Sequence, residues 1–520
     1  LYTPSMKGVT GMGKIERREF LKLAGTGAGA FIATGLFHDR LLAGALPQAG
    51  AGLFDEKFGV SKEVMVKVLS TALSKGGDFS DLFFEYKVIM TVVMEDDIIR
   101  QSSENVVRGV GIRVLNGKQT GFGYTSSPTP ESMTQAALTA AAIAASGRKV
   151  RPLELRESRP DKQVYMLEKP FVNAPLDDRI TLVKEAYAAA QAYDKRIVKV
   201  IVNLADEMQY VTIVNSEGLM ISDARPQVRL FATATAQEGK VRNTGNGSAG
   251  GRVGMTYFQR AGSTPKDVGV RAAQEAVTLL SAVDPVAGDQ PVVLGSRQSG
   301  VMVHEAVGHP FEGDGIWQKT SIVWDRMGQM VASPGVTIYE DATLPHLRGS
   351  MNIDDEGTST RKVMMIEKGK LVGFLLDRLS ARILGMEPNG HGRRESYRVV
   401  PICRMNNTIL ARGEAAPEDV IKTVKKGFYA DTYQGGQVED TGKFTFSVNL
   451  GYLIEDGKLT QPVKNATLIG TNVQVLKDIE LIGNDMDYFL GTCGKDGQAA
   501  PVSAGTPTFK IRQMTVGGRA

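Results

Sequence analysis

Two of the chain's five histidines, His304 and His309, fall within six residues, and Glu305 follows the first of them. Two imidazoles this close invite a divalent metal, with zinc the natural choice. A Glu directly after the first His is placed to act as general base toward water, as in the H-E-x-x-H zinc helix. Here the spacing is one residue longer. At about 100° per residue, positions i and i+4 lie within roughly 40° of each other, but i and i+5 are about 140° apart. A regular helix therefore cannot aim both rings at one ion. The helix must either widen into a π-type turn or end near Gly308. Gly308 would permit a break, and Pro310 disfavours the α conformation at His309. The expected picture has His304 and Glu305 on the last regular turns and His309 swung back at the exit.

Two imidazoles leave a third ligand to be found. The candidates are His346, His391, Asp341, the Asp354-Asp355-Glu356 cluster, Cys403 and Cys493. Cys493 sits in a glycine-flanked loop, Gly491-Thr-Cys493-Gly494-Lys495, where the backbone can approach an ion and a nearby Lys favours thiolate. Cys403 lies in an apolar strand-like run and reads as a small core residue. Two cysteines exclude a disulfide framework.

The elements that must position these residues read as α+β, with N-terminal α/β domains followed by a mostly antiparallel β domain. Ser61, Thr129-Pro130 and Thr264-Pro265 each open a helical pattern with a capping residue, and a further helix is expected over 176–193. Strands are expected at 81–86, 107–115 and 121–124, with an Asn116-Gly117 turn between the last two, and at 198–204, 210–215, 220–223 and 228–238. The Gly-rich stretch 239–254 reads as a mobile loop. The segments Met365–Val372 and Leu453–Thr460 both read as strand, Gly turn, strand, and are taken as a common turn rather than a repeat. A short helix is expected from Pro417 to Lys426. The expected division is 1–45 signal segment, 55–150 N-terminal α+β domain, 170–285 middle α+β domain and 290–520 C-terminal metal-bearing domain, with a linker over 148–175.

The chain has 520 residues, 42% hydrophobic and 23% charged, which excludes a disordered or collagen-like chain. The first 45 residues contribute +3 of its +4 net charge, so nothing calls for a nucleic-acid partner. Arg17-Arg18 precede Phe20-Leu21-Lys22, a mildly apolar run to Phe37 and an Ala43-Gly44-Ala45 site. This is the plan of a twin-arginine export signal, cleaved near Ala45, with Met6 or Met12 as candidate starts. The run is too short to span a bilayer. The expected location is periplasmic or extracellular, with no stable membrane span after cleavage, or cytoplasmic if the signal is unused.

The chain resembles the TldD/PmbA family of peptidases, on its catalytic TldD side. The segments that carry this are His304–His309 with Glu312-Gly-Asp314, Ile353–Gly357, Gly392–Tyr397, Gly435–Val438 and Gly491–Lys495, in that order, with 81–86 and 109–124 upstream. The resemblance spans about residue 60 to the end. It implies a Zn²⁺ metalloprotease acting on unfolded or small peptides. Zinc would then be held by His304, His309 and Cys493, with Glu305 as the catalytic base. It also implies a dimer, either of identical chains or with a PmbA-like subunit, and a peptide added as a strand to a sheet. Arg393, Arg394 and Tyr397 are candidate substrate contacts, weighed against a salt-bridged structural role. Two other functions compete with this reading: a non-cleaving zinc and peptide-binding subunit, and a metal amidase acting on modified or cell-wall peptides.

Overall fold

The computed structural model describes residues 51–145, 150–165, 174–439 and 442–518. The expected signal segment lies outside them, as does part of the 148–175 linker. Among the described residues, no helix is long and apolar enough to cross a membrane.

The first half builds one seven-stranded sheet, ordered β3-β2-β1-β5-β6-β4 with β7 paired to β6. Its strands are β1 Phe79–Glu95, β2 Ile98–Asn116, β3 Gln119–Thr125, β4 Arg156–Ser158, β5 Ile197–Asn215, β6 Leu219–Glu238 and β7 Val241–Gly251. Strands of the N-terminal and middle segments meet where β1 pairs with β5, Asp81 opposite Asn215 through Glu95 opposite Ile201. The capped helices form where the sequence places them. Ser61, Thr129 and Thr264 each accept a hydrogen bond from the first turn, and Thr264 forms a full capping box with Asp267. Helices Lys62–Ala72 and Pro130–Ile143 bury Leu69 and Ala137 against Leu82 and Ile112, while helices Leu176–Gln191 and Pro265–Leu280 bury Val183 and Ala272 against Val202 and Leu230.

Three expectations change. The pairs 198–204 with 210–215, and 220–223 with 228–238, are each a single long strand. Asp206 stays inside β5 because buried Arg179 binds it through two bonds, of 2.6 and 2.9 Å. Pro226 is tolerated in β6 because it falls between the stretch paired to β4 and the start of pairing to β7 at Val228. The Gly-rich stretch is not a loop but strand β7. A Cβ on Gly245 would stand 2.4 Å from the Ala272 carbonyl oxygen, and one on Gly247 2.1 Å from that of Val268. Glycine is used here for close helix-on-strand packing rather than for flexibility.

The C-terminal half holds a seven-stranded and a six-stranded sheet, together with a two-stranded ribbon. Isolated bridges aside, its strand pairings are antiparallel except for Asn407–Leu410 on Gln498–Thr506 and Gly288–Leu294 on Lys426–Val438. The two look-alike hairpins lie in different sheets, each turning through left-handed residues, Lys368-Gly369 and Asp456-Gly457. The short helix runs Pro417–Lys422. The largest apolar core includes Val301, Val303 and Val307, so the histidine segment is embedded in it.

Buried ion pairs dock this half on the N-terminal sheet. Arg113 binds Asp81 and Glu356, and Arg225 binds Asp223 and Asp355. Asp354 accepts from the backbone of Glu356, Thr358 and Gly392. Asp355 and Glu356 thus hold the two halves together, while Asp354 is spent on the backbone of its own half.

Candidate metal centre

Helix Gly300–Val303 passes into a π-helical turn, His304–Gly308, and then a 3₁₀ turn, His309–Phe311. Of the two solutions open to the sequence, the chain takes the wider turn. An i→i+5 repeat stacks residues five apart on one face, which brings His304 and His309 together. Their ring centroids are 5.3 Å apart, with planes at 80°.

The local reasons differ from those expected. Gly308 has ordinary helical dihedrals, φ −52° and ψ −61°, so it provides no break. It is small because Met405 leaves no room: a Cβ would lie 1.7 Å from the Met405 Sδ. His309 is helical as well, φ −60° and ψ −46°, despite preceding Pro310. The bond from its ring to Glu312 holds it in that conformation.

The third group arrives from strand Asp487–Lys495. Cys493 Sγ is 3.4 Å from His309 Nε2, and one ligand atom from each of His304, His309 and Cys493 lies within 4.8 Å of the others. Gly300 lets the start of the helix press against the Ala504 carbonyl of the partner strand Gln498–Thr506, where a Cβ would stand 2.3 Å from it. Cys493 pairs with Ala500 on that same strand.

The remaining ligand candidates are not brought to the two imidazoles. Cys403 is a core residue, its thiol donating to the Leu375 carbonyl. His391 Nδ1 bonds the Arg404 carbonyl, and burial holds its ring down to about 4. Asp341 accepts from Thr343. His346 sits on a left-handed loop position, φ 69°. Arg393, Arg394 and Tyr397 are not brought to the cleft. Arg393 binds the carbonyls of Met405 and Pro501, Arg394 stacks over Phe83 beside Asp355, and Tyr397 packs against Gly109.

Glu305 reaches within 3.7 Å of His309 Nε2, and burial raises its carboxyl above the usual range. Burial opposes the Cys493 thiolate, but the two imidazoles outweigh it and pull the thiol down to about 4. Beneath His309 lies a further layer of charged side chains. Glu312 Oε2 is 3.0 Å from His309 Nδ1, and Lys495 Nζ is 2.9 Å from that carboxylate and 2.5 Å from Asp314. Burial would raise Glu312, but Lys495 and His309 hold it at about 2. The sequence signal was present in the Glu312-Gly-Asp314 and Lys495 positions, but nothing local links them across 183 residues.

A metal fits this donor set. Both ring nitrogens of His304 are buried without a hydrogen-bond partner, an arrangement that calls for a ligand. A thiolate and two imidazoles suit zinc. The residues open into a cleft of about 670 Å³, walled by Gly435, Gly436, Gln437 and Val438 on one side and by Phe489 and Thr492 on another.

The family models agree. Residues 80–144 match the PmbA/TldA metallopeptidase domain 1, 169–280 the central domain and 287–518 the C-terminal domain. The metalloprotease TldD homolog of Haemophilus influenzae is 36% identical over 471 residues, covering 88% of this chain and 97% of that protein. The zinc metalloprotease TldD homolog of Saccharolobus solfataricus is 26% identical, covering 87% and 100%. Among solved structures, a Thermotoga maritima protein described as a putative modulator of a DNA gyrase superposes with a TM-score of 0.72 at 23% identity, over 88% of this chain and all of that one. TldE from Thermococcus kodakarensis gives 0.68 at 20%, over 88% and 100%. These two likenesses speak to the fold, whereas the matched domains and the close relative speak to descent. The chain belongs to the TldD/PmbA family of metalloproteases.

Proposed function

We propose that this chain is a zinc-dependent peptidase that hydrolyses peptide bonds in unfolded or small peptides. The observation that carries the reading is the convergence of His304, His309 and Cys493 within 4.8 Å, with Glu305 beside them in an open cleft. His304, His309 and Cys493 would hold the ion. When bound, zinc supplies Lewis acidity toward a carbonyl and lowers the pKa of water.

The chain's own residues supply the rest. Glu305, its carboxylate made more basic by burial, takes the proton of the attacking water and passes it to the departing amine nitrogen. Glu312 fixes the His309 ring by accepting from Nδ1, which leaves Nε2 aimed at the site. The cleft wall 435–438 pairs on one side with 444–447, so its other backbone edge can receive an extended peptide.

Replacing Glu305 with Ala tests the reading on an unstructured protein such as casein. Zinc content should be unchanged and cleavage lost. Undiminished turnover would remove Glu305 as the base. Two further expectations belong to the same proposal: twin-arginine export, and assembly as a homodimer or with a PmbA-like subunit. Fractionation of cells and light scattering of the purified chain with and without such a subunit check them.

A further inference from the structure

The N-terminal sheet carries a second cavity, of about 410 Å³. Alternation along the strands sets its face. Val202, Leu204, Val228 and Leu230 enter the apolar core beneath the helices, whereas Asn203, Gln227, Arg229 and Phe231, of opposite parity, line this cavity. Arg348 closes it from the C-terminal half. Arg252, 2% exposed, is buried nearby.

Among the described residues, none of these three arginines has a carboxylate within ion-pair distance, and the acid that shares the cavity, Glu207, acts on Arg348 only at longer range. The buried Arg113, Arg179 and Arg225 each bind one or two carboxylates. Arg393 and Arg404 have no ion pair but donate to carbonyls, and Arg394 lies 4.0 Å from Asp81; Arg394 and Arg404 also bury an unpartnered Nε, but none of the three lines this cavity. Around the second cavity, Arg229 and Arg252 each bury an Nε without a partner. Arg252 has one long bond, 3.4 Å, to the Pro226 carbonyl. Arg348 donates to the Gly491 carbonyl at 2.8 Å and to Thr492 Oγ1 at 3.2 Å, with no acid in contact. Glu207 shares the cavity wall and raises the Arg348 pKa at a distance without contacting its guanidinium. Burial first, and then Arg229 and Arg252, hold Arg348 down to about 9, against an opposing pull from Glu207. An uncompensated buried charge is costly, and an oxyanion would balance it.

The cavity is too large for a bare inorganic ion, and Ile89 and Phe231 give it apolar walls. Its occupant should therefore carry its anion on an organic body. Arg348 touches Thr492, and Thr492 also lines the metal cleft, so one residue separates the two spaces. We propose that Arg229 and Arg348, backed by Arg252, form a carboxylate-binding site that takes an acidic group of the peptide lying in the metal cleft. The peptide as carrier rests on the peptidase reading; the anion site rests on the arginines themselves.

The test uses the full chain with Glu305→Ala, loaded with zinc, so that ligands stay intact. Calorimetry measures binding of a short unstructured peptide made as C-terminal acid and as C-terminal amide, of a second pair differing as Glu against Gln within the peptide, and of inorganic phosphate. At least one acid member should bind about tenfold or more tightly than its neutral twin, the worth of one charge-assisted contact. The ratio should fall to near one in Arg229→Met and in Arg348→Gln, with zinc content unchanged in Arg229→Met. A ratio near one in the parent chain, a ratio that survives both substitutions, or binding of phosphate with no preference for either acidic peptide would overturn the proposal. Cleavage by the unsubstituted chain is scored separately. Its absence alongside an intact acid preference would sink the peptidase reading and leave the anion site standing.

Discussion

The carboxylate of Glu312 lies 3.0 Å from His309 Nδ1, and the lysine that pins it, Lys495, sits two residues beyond Cys493 on the same strand. One strand thus delivers both the thiol and the charge that orders the imidazole on the far side of the cleft. Outer partners of this kind fix the ring and its tautomer, and their loss typically costs 10- to 100-fold in metal affinity. Glu312→Gln is expected to weaken zinc binding by about that factor without unfolding the chain, as read by competition with a chromogenic chelator.

Cys493→Ser should weaken zinc binding further, by more than about 100-fold, because it removes a ligand rather than its support. Cys403→Ser should leave zinc stoichiometry intact, since that thiol donates to a carbonyl in the core. Metal analysis of the two variants side by side checks both outcomes. Full zinc occupancy in Cys493→Ser at low micromolar free metal would move the third ligand elsewhere.

Gly308→Ala should lower stability by roughly 1–3 kcal/mol, through overpacking against Met405. The π turn is then expected to shift, and zinc affinity to fall with it. Adding Met405→Ala opens the space, so the double variant should regain part of both losses, a coupling visible in chemical denaturation and zinc titration.

Asp377 caps helix Arg378–Leu384 by accepting from Ser380, and burial, with Glu356 nearby, pushes its carboxyl up to about 7 from 3.8. The folded chain therefore holds this proton at pH values where the unfolded chain has released it. The stabilisation linked to that proton is complete below about pH 4 and is lost as pH rises through 7. Asn keeps the cap and cannot ionise. Asp377→Asn should match the parent chain at pH 4 and be more stable at pH 8, by roughly 2–4 kcal/mol for a shift of this size. Urea denaturation at the two pH values gives the difference.

Much of this was legible in the chain itself. Ser61, Thr129 and Thr264 announced three helices because capping is chemistry between near neighbours. The histidine spacing announced that a regular helix would not serve. What could not be read were contacts made across long stretches of chain. Gly245 and Gly247 looked like a loop because the helix backbone that demands their smallness comes 27 and 21 residues later, at Ala272 and Val268. Asp206 and Pro226 fell between the expected strands because Arg179 and the gap between β4 and β7 are seen only in three dimensions. Arg393 and Arg394 stood equally open to a substrate or a structural role because nothing local revealed the carbonyls of Met405, Pro501 and Asp355 that take their guanidiniums.

The thiol of Cys493 stands 184 residues beyond His309, in the last hairpin-bearing stretch of the chain. Chains are made from the N-terminus, and their earlier domains fold first. A ribosome-bound chain that has already paired its first sheet and formed its histidine turn still lacks the sulfur. The three candidate donors can therefore meet only after strand Asp487–Lys495 has been made and has paired beside the histidine turn.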